Sequence, residues 1–109
     1  MMLNQVVIVG RIKDKPLTGK LQDGTSFCQI DLVVQRPYKN EEGVYLDDII
    51  PIMLYGYLCD NVAKYCDKGE LTGIKARIEM EDNNIILKAE KITFLAPAKE
   101  HNNEDSNTY

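Results

Sequence analysis

The sequence contains no tryptophan, a single histidine, only two phenylalanines and no apolar run near the roughly 20 residues that a helix needs to cross a bilayer. A membrane-spanning helix is therefore excluded from the reading. It also lacks a C-x-x-C pair: its three cysteines, Cys28, Cys59 and Cys66, stand too far apart to seed a zinc ribbon or a dithiol redox motif. Three thiols cannot all pair within one chain, so they are expected to be reduced and buried. Cys59 and Cys66, seven apart, would share nearly one face of a helix as small hydrophobes. His101 sits in a polar stretch and is taken as a bystander. Chemistry-bearing patterns are missing too, with no phosphate loop of the G-x-x-x-x-G-K type, no nucleophile beside a base and no metal-ligand cluster. Neither an enzyme nor a bound cofactor or small-molecule substrate is expected. The opening residues MMLNQVVIVGRIKDK show no basic leader and no small-residue cleavage site, which leads to the expectation of a cytoplasmic protein.

A basic surplus is missing as well. The net charge is −4, which disfavours a nonspecific polycation and leaves any electrostatic case to local distribution. Residues 1–96 carry 12 Lys and Arg against 14 Asp and Glu. What remains is ordinary for a globular chain of 109 residues, with 44% hydrophobic and 28% charged side chains. One domain over 1–96 can bury a core without staples, and 97–109, PAKEHNNEDSNTY, has no apolar period and is expected to be a disordered tail.

Five strands and one helix follow from periodicity. NQVVIVGRI (4–12) is rich in Val and Ile, with Gly10 where a strand would bend. FCQIDLVVQ (27–35) alternates, placing Cys28, Ile30, Leu32 and Val34 on one face. RPYKNEEG is expected to be a turn, followed by a third strand ending near Tyr55, in which Pro51 implies an edge, a bulge or a break in pairing. LCDNVAKYCDKG sets Leu58, Val62 and Tyr65 with Cys59, Ala63 and Cys66 at helical spacing, closed by Lys68 and Gly69. Two further strands, 70–80 and 85–96, flank a short EDNN hairpin turn. The order β-β-β-α-β-β, an all-β class with one helix between strands three and four, is that of the five-stranded Greek-key barrel known as the OB-fold. Other small β proteins also combine five strands with a helix.

One short stretch raises a functional question. Arg36, Pro37, Tyr38 and Lys39 hold an aromatic between two cations, which suits either a solvated hairpin or a grip on something flat and negatively charged.

MLNQVVIVGRIKDKP, LVVQRPYKNEEGVYLDDIIP, LYGYLCDNVAKYCDKGELTG and AEKITFL resemble, in order and spacing, the bacterial single-stranded DNA-binding protein family over residues 2 to 95. The most specific pieces are the Val-Gly-Arg closing strand one, the Arg-Pro-aromatic-Lys-Asn stretch and the Gly-x-Leu, Asn-Val-Ala and Lys-Gly run around the helix. The resemblance implies an OB-fold, single-stranded DNA as ligand, a homodimer or homotetramer and no cofactor. It puts Tyr38 where relatives stack an aromatic on a base, with Arg36 and Lys39 beside it for phosphates, and Tyr55 at a second stacking position. Lys68, with Arg11, Lys13, Lys15 and Lys20 near the first loop, would add a positive rim.

The departures are equally specific. Ile49 and Asn83 stand where the family carries further aromatics. Glu79, Glu81 and Asp82 replace basic residues, and Asp31 lies on the strand-two face; carboxylates there would repel phosphate. EDNN is short for the hairpin that grips DNA in relatives, and EDSNTY lacks the acidic tip with an apolar ending that recruits partners. The expected function is non-catalytic coating of single-stranded DNA in replication, recombination or repair. The alternative is an OB-fold interaction module of the primosome accessory type.

Overall fold

The computed structural model describes residues 1–98. Its elements are β1 (Val6–Ile12), β2 (Thr18–Lys20), β3 (Ser26–Lys39), β4 (Tyr45–Tyr55), α1 (Tyr57–Tyr65), β5 (Leu71–Glu81) and β6 (Asn84–Ala96). β1 changes partners along its length. It pairs antiparallel with β5 from Val6 opposite Ala76 to Arg11 opposite Leu71, and meets β3 through Arg11 and Ile12. Gly10 permits the change of partner, because a Cβ there would lie 2.7 Å from the Val33 carbonyl oxygen and 2.9 Å from Val34 Cγ2. β3 then pairs with β4, β4 touches β6 in parallel at Met53 and Lys88, and β6 pairs with β5. The circuit β1-β3-β4-β6-β5 closes on itself, giving the five-stranded barrel with its helix between the third and fourth barrel strands.

The core follows the alternation of the strands. Ile12, Cys28, Ile30, Leu32, Ile52, Leu54 and Ile74 point inward and are at most 2% exposed. Burying each of the Ile and Leu side chains contributes roughly 1.5–3 kcal/mol. α1 packs against β3, β4 and β6 through Cys59 and Val62. Gly56 turns the chain from β4 into the helix at φ +64, a conformation that any side chain would strain. All three cysteines are free and buried, as their spacing implied. Among the described residues no helix is long and apolar enough to cross a membrane.

Four details depart from expectation. β2 lies in a segment expected to be loop; its three residues are held by pairing with Ser26–Cys28, a tertiary contact that local propensity does not announce. The helix ends at Tyr65, before Lys68 and Gly69, and Tyr65 is 60% exposed rather than facing the core. RPYK is strand, not turn: β3 runs on to Lys39, and Pro37 falls where the ladder slips between Gln35 and Lys39, so its missing N–H leaves no gap in the pairing. The turn itself is Asn40–Val44, where Asn40 Oδ1 accepts from the backbone of Glu42 and Val44.

The connection between β5 and β6 is as short as EDNN implied, yet the ribbon it joins is long. Asp82 (φ 51) and Asn83 (φ 66) form a two-residue turn of the I′ kind, and pairing persists out to Glu81 opposite Asn84. Asn4 lengthens the β1 side of this ribbon with its side chain, donating to the Ile78 carbonyl at 2.7 Å and accepting from the Ile78 N–H at 2.8 Å. The tail expected over 97–109 lies, from residue 99 onward, outside the described residues. Pro97 still serves the barrel, its carbonyl accepting from Arg11 Nη1.

Candidate nucleic-acid interface

Two antiparallel ribbons extend from the barrel. The β3–β4 ribbon carries residues 34–48 past the last β1 pairing, and the β5–β6 ribbon carries residues 77–88 past the pairing of Val6 with Ala76. Between β4 and the start of β6 lies a groove of about 300 Å³ lined by Gln29, Pro51, Met53, Ile85, Ile86 and Leu87. Its walls are apolar, and its polar group is Gln29, whose amide donates to Asp31 Oδ1 at 2.9 Å. A file of outward-facing β4 side chains borders it. Because Ile52 and Leu54 are buried, the odd-numbered residues Tyr45, Asp47, Ile49, Pro51, Met53 and Tyr55 share the opposite face.

The expected grip divides into two. Arg36 donates from Nε to Asp48 Oδ2 at 3.0 Å and from Nη2 to Asp48 Oδ1 at 2.8 Å. This fork holds the Asp48 carboxyl below its ordinary value and raises the guanidinium, whose next neighbour is the Tyr38 hydroxyl. Tyr38 is 60% exposed at the far end of β3. Lys39, one residue on, faces the other side and holds its ammonium 5.6 Å from the centre of the Tyr45 ring. Arg36 and Tyr38 thus stand together, while Lys39 belongs with Tyr45.

Tyr55 lies at the base of the file, partly buried, with Lys88 Nζ 5.0 Å from its ring centre. Burial, then the negative potentials of Glu81 and Glu79, raise its phenol above 10.0. The acids of β5 thus lend negative potential to this aromatic. Glu79 is paired with Arg77, so its charge is in part compensated.

Arg11, Lys13 and Lys68 form a separate group where β1 ends beside the chain leading into β5. Arg11 Nη1 donates to the carbonyls of Gly69 at 2.8 Å and Pro97 at 3.2 Å, tying three segments together. Lys13 and Lys68 share Asp14 at 3.7 and 3.8 Å, and Lys15 reaches Asp67 at 3.7 Å. Lys20 donates to Ser26. These exposed pairs contribute little to stability, and their partners reduce the net positive charge of the rim.

The model of the Single-strand binding protein family matches residues 3–87. The chain belongs to that family. A single-stranded DNA-binding protein of Halalkalibacterium halodurans is 33% identical over 115 residues, spanning 97% of this chain and 68% of the relative. Single-stranded DNA-binding protein B of Bacillus subtilis is 35% identical over 78 residues, covering 72% of this chain and 69% of its own. The single-stranded DNA binding protein from Thermus aquaticus, solved as a deletion mutant, superposes with a TM-score of 0.69 at 21% identity over 85% of this chain. That likeness establishes the shared OB-fold; the chain spans 50% of the length of the solved one.

Three neighbours of the candidate residues were not singled out from the sequence. Asp48 carries no motif of its own, and its role as the partner of Arg36 is set by the β3–β4 pairing. Lys88 gave no local signal, since it reaches Tyr55 only through the β4–β6 closure. Tyr45 was detectable, because strict alternation along residues 45–55 places it on the face of Ile49 and Tyr55.

Proposed function

We propose that this protein binds single-stranded DNA without catalysing a reaction, coating it in replication, recombination or repair in the bacterial cytoplasm or nucleoid. The observation that carries the reading is an exposed ring on the ribbon together with a ring–cation pair on the barrel: Tyr38, 60% exposed, and Tyr55 beneath Lys88. Bases stack on aromatic faces regardless of sequence, at about 1–3 kcal/mol per base, while cations follow the backbone. The names carried by its relatives point the same way. Tyr38 and Tyr55 are the proposed platforms and Lys39 the leading phosphate contact. Arg36 acts chiefly by holding the ribbon, and Arg11, Lys13 and Lys68 give at most a weak rim.

Assembly to a homodimer or homotetramer belongs to the same proposal. Val7 and Val9 are 69% and 49% exposed, and among the described residues Val6–Gly10 pair on one edge only, with β5. A flat apolar edge of this kind invites a second strand. Anisotropy titration of labelled oligo-dT at two salt concentrations tests the binding, and light scattering at tens of micromolar tests the assembly. Absence of binding at low salt would hand the fold to the interaction-module reading; a monomer would remove the oligomer.

A further inference from the structure

Tyr45 has no role in the reading above, yet it repeats the arrangement at Tyr55. Both rings lie on the outward file of β4, and both carry a lysine ammonium, Lys39 at 5.6 Å and Lys88 at 5.0 Å. The strand is regular between them, since the slip in this ladder adds residues to β3 and none to β4. Ten residues of extended chain separate the two by about 33 Å, a span that a strand of several nucleotides covers. Halfway along, Ile49 is 46% exposed and offers no π-face. Tyr45 itself is 45% exposed, so an ammonium over one part of the ring leaves area on which a base can lie.

Resting on the DNA-binding reading, we propose that Tyr45 and Lys39 form a further nucleotide subsite at the outer end of the β4 file. The Tyr45 ring stacks on one base, and the Lys39 ammonium, on its flexible stem, swings from the ring to an adjoining phosphate. The subsite extends the path beyond Ile49 onto the β3–β4 ribbon. Tyr38 occupies the other side of that ribbon, so the two rings serve different segments of the strand rather than one base.

The protein's lack of tryptophan makes the test direct. Tyr45→Trp supplies a sole indole, whose emission should be quenched saturably by oligo-dT, while Tyr65→Trp, on the exposed side of α1, should not respond. Tyr45→Leu should weaken oligo-dT binding roughly 5- to 150-fold with little change in salt dependence, and Tyr45→Phe should retain affinity. Wild-type binding that persists unaltered in Tyr45→Leu, or an unquenched Tyr45→Trp in a protein that binds, overturns the subsite alone. Failure of wild-type protein to bind overturns the function and the subsite together. Equal quenching of Tyr65→Trp also overturns the assignment, since the signal would then not report position.

Discussion

Arg36 and Asp48 meet across β3 and β4 in a two-point fork, with both nitrogen–oxygen distances at or below 3.0 Å. The cation nearest Tyr38 is thereby neutralised before any DNA arrives. Asp48→Asn should release it, and the slope of log affinity against log salt should steepen by up to about 0.7 as Arg36 becomes able to displace a counterion. Titration of oligo-dT at several salt concentrations reads this directly; an unchanged slope would show that Arg36 meets no phosphate even when free.

The same fork predicts a pH dependence. Asp48 is held below its ordinary 3.8, chiefly by the hydrogen bonds from Arg36. A carboxyl with a lowered folded pKa stabilises the folded state above its unfolded value, and that contribution is lost as pH falls through the folded value. Melting curves of wild type and Asp48→Asn should therefore differ above about pH 4 and converge below it. A difference that grows toward acid would reverse the assignment.

Tyr38 and Lys39, adjacent but on opposite faces, should fail differently. Tyr38→Ala removes a neutral ring and should cost roughly 1–3 kcal/mol of DNA binding at nearly constant salt slope. Lys39→Ala removes a charge, so the slope should shrink by about 0.7. Identical responses from the two variants would mean that neither acts as described.

How much of this was legible beforehand depended on range. The alternation of Cys28, Ile30, Leu32 and Val34 and the helical spacing of Cys59 and Val62 are local, and both were read correctly. The Asp82-Asn83 turn was legible too, because Asn and Asp tolerate positive φ. β2 and the end of β3 were not, since Thr18–Lys20 and Pro37–Lys39 are strand only by virtue of a neighbour. The candidate site divides the same way: Tyr38 stands out between its two cations and Tyr55 only through the family resemblance, whereas the pairing of Lys39 with Tyr45 rather than Tyr38 is decided by the slip between Gln35 and Lys39.

The buried thiols predict an alkaline limit. Burial, then the neighbouring Cys59, push the Cys28 thiol up to about 12, and burial pushes Cys66 to about 11, from 9.0. A raised thiol pKa contributes stability that is fully present below the unfolded value and declines as pH rises past it. Melting temperature should fall above about pH 9, and fall less in Cys28→Ala. Native protein at pH 8 should react with a thiol reagent far more slowly than unfolded protein; immediate labelling of all three cysteines would show that α1 leaves them open.

Gly10 gives the sharpest test of the barrel itself. It lies where β1 leaves β5 for β3, so closure depends on two backbones approaching without a side chain between them. The added methyl of Gly10→Ala meets a carbonyl oxygen at 2.7 Å and a Val34 methyl at 2.9 Å. The valine can rotate, but the carbonyl belongs to the ladder and can move only by opening the β1–β3 contact. Overpacking of this kind costs about 1–3 kcal/mol. Because Val33 is paired with Arg11 and also with Ile49 of the β4 file, a shift at Val33 should reach the binding face. Gly10→Ala should accordingly melt several degrees lower and bind oligo-dT more weakly, and calorimetry with anisotropy titration would measure both. A variant that melts with wild type would show that β1 needs no close approach to close the barrel.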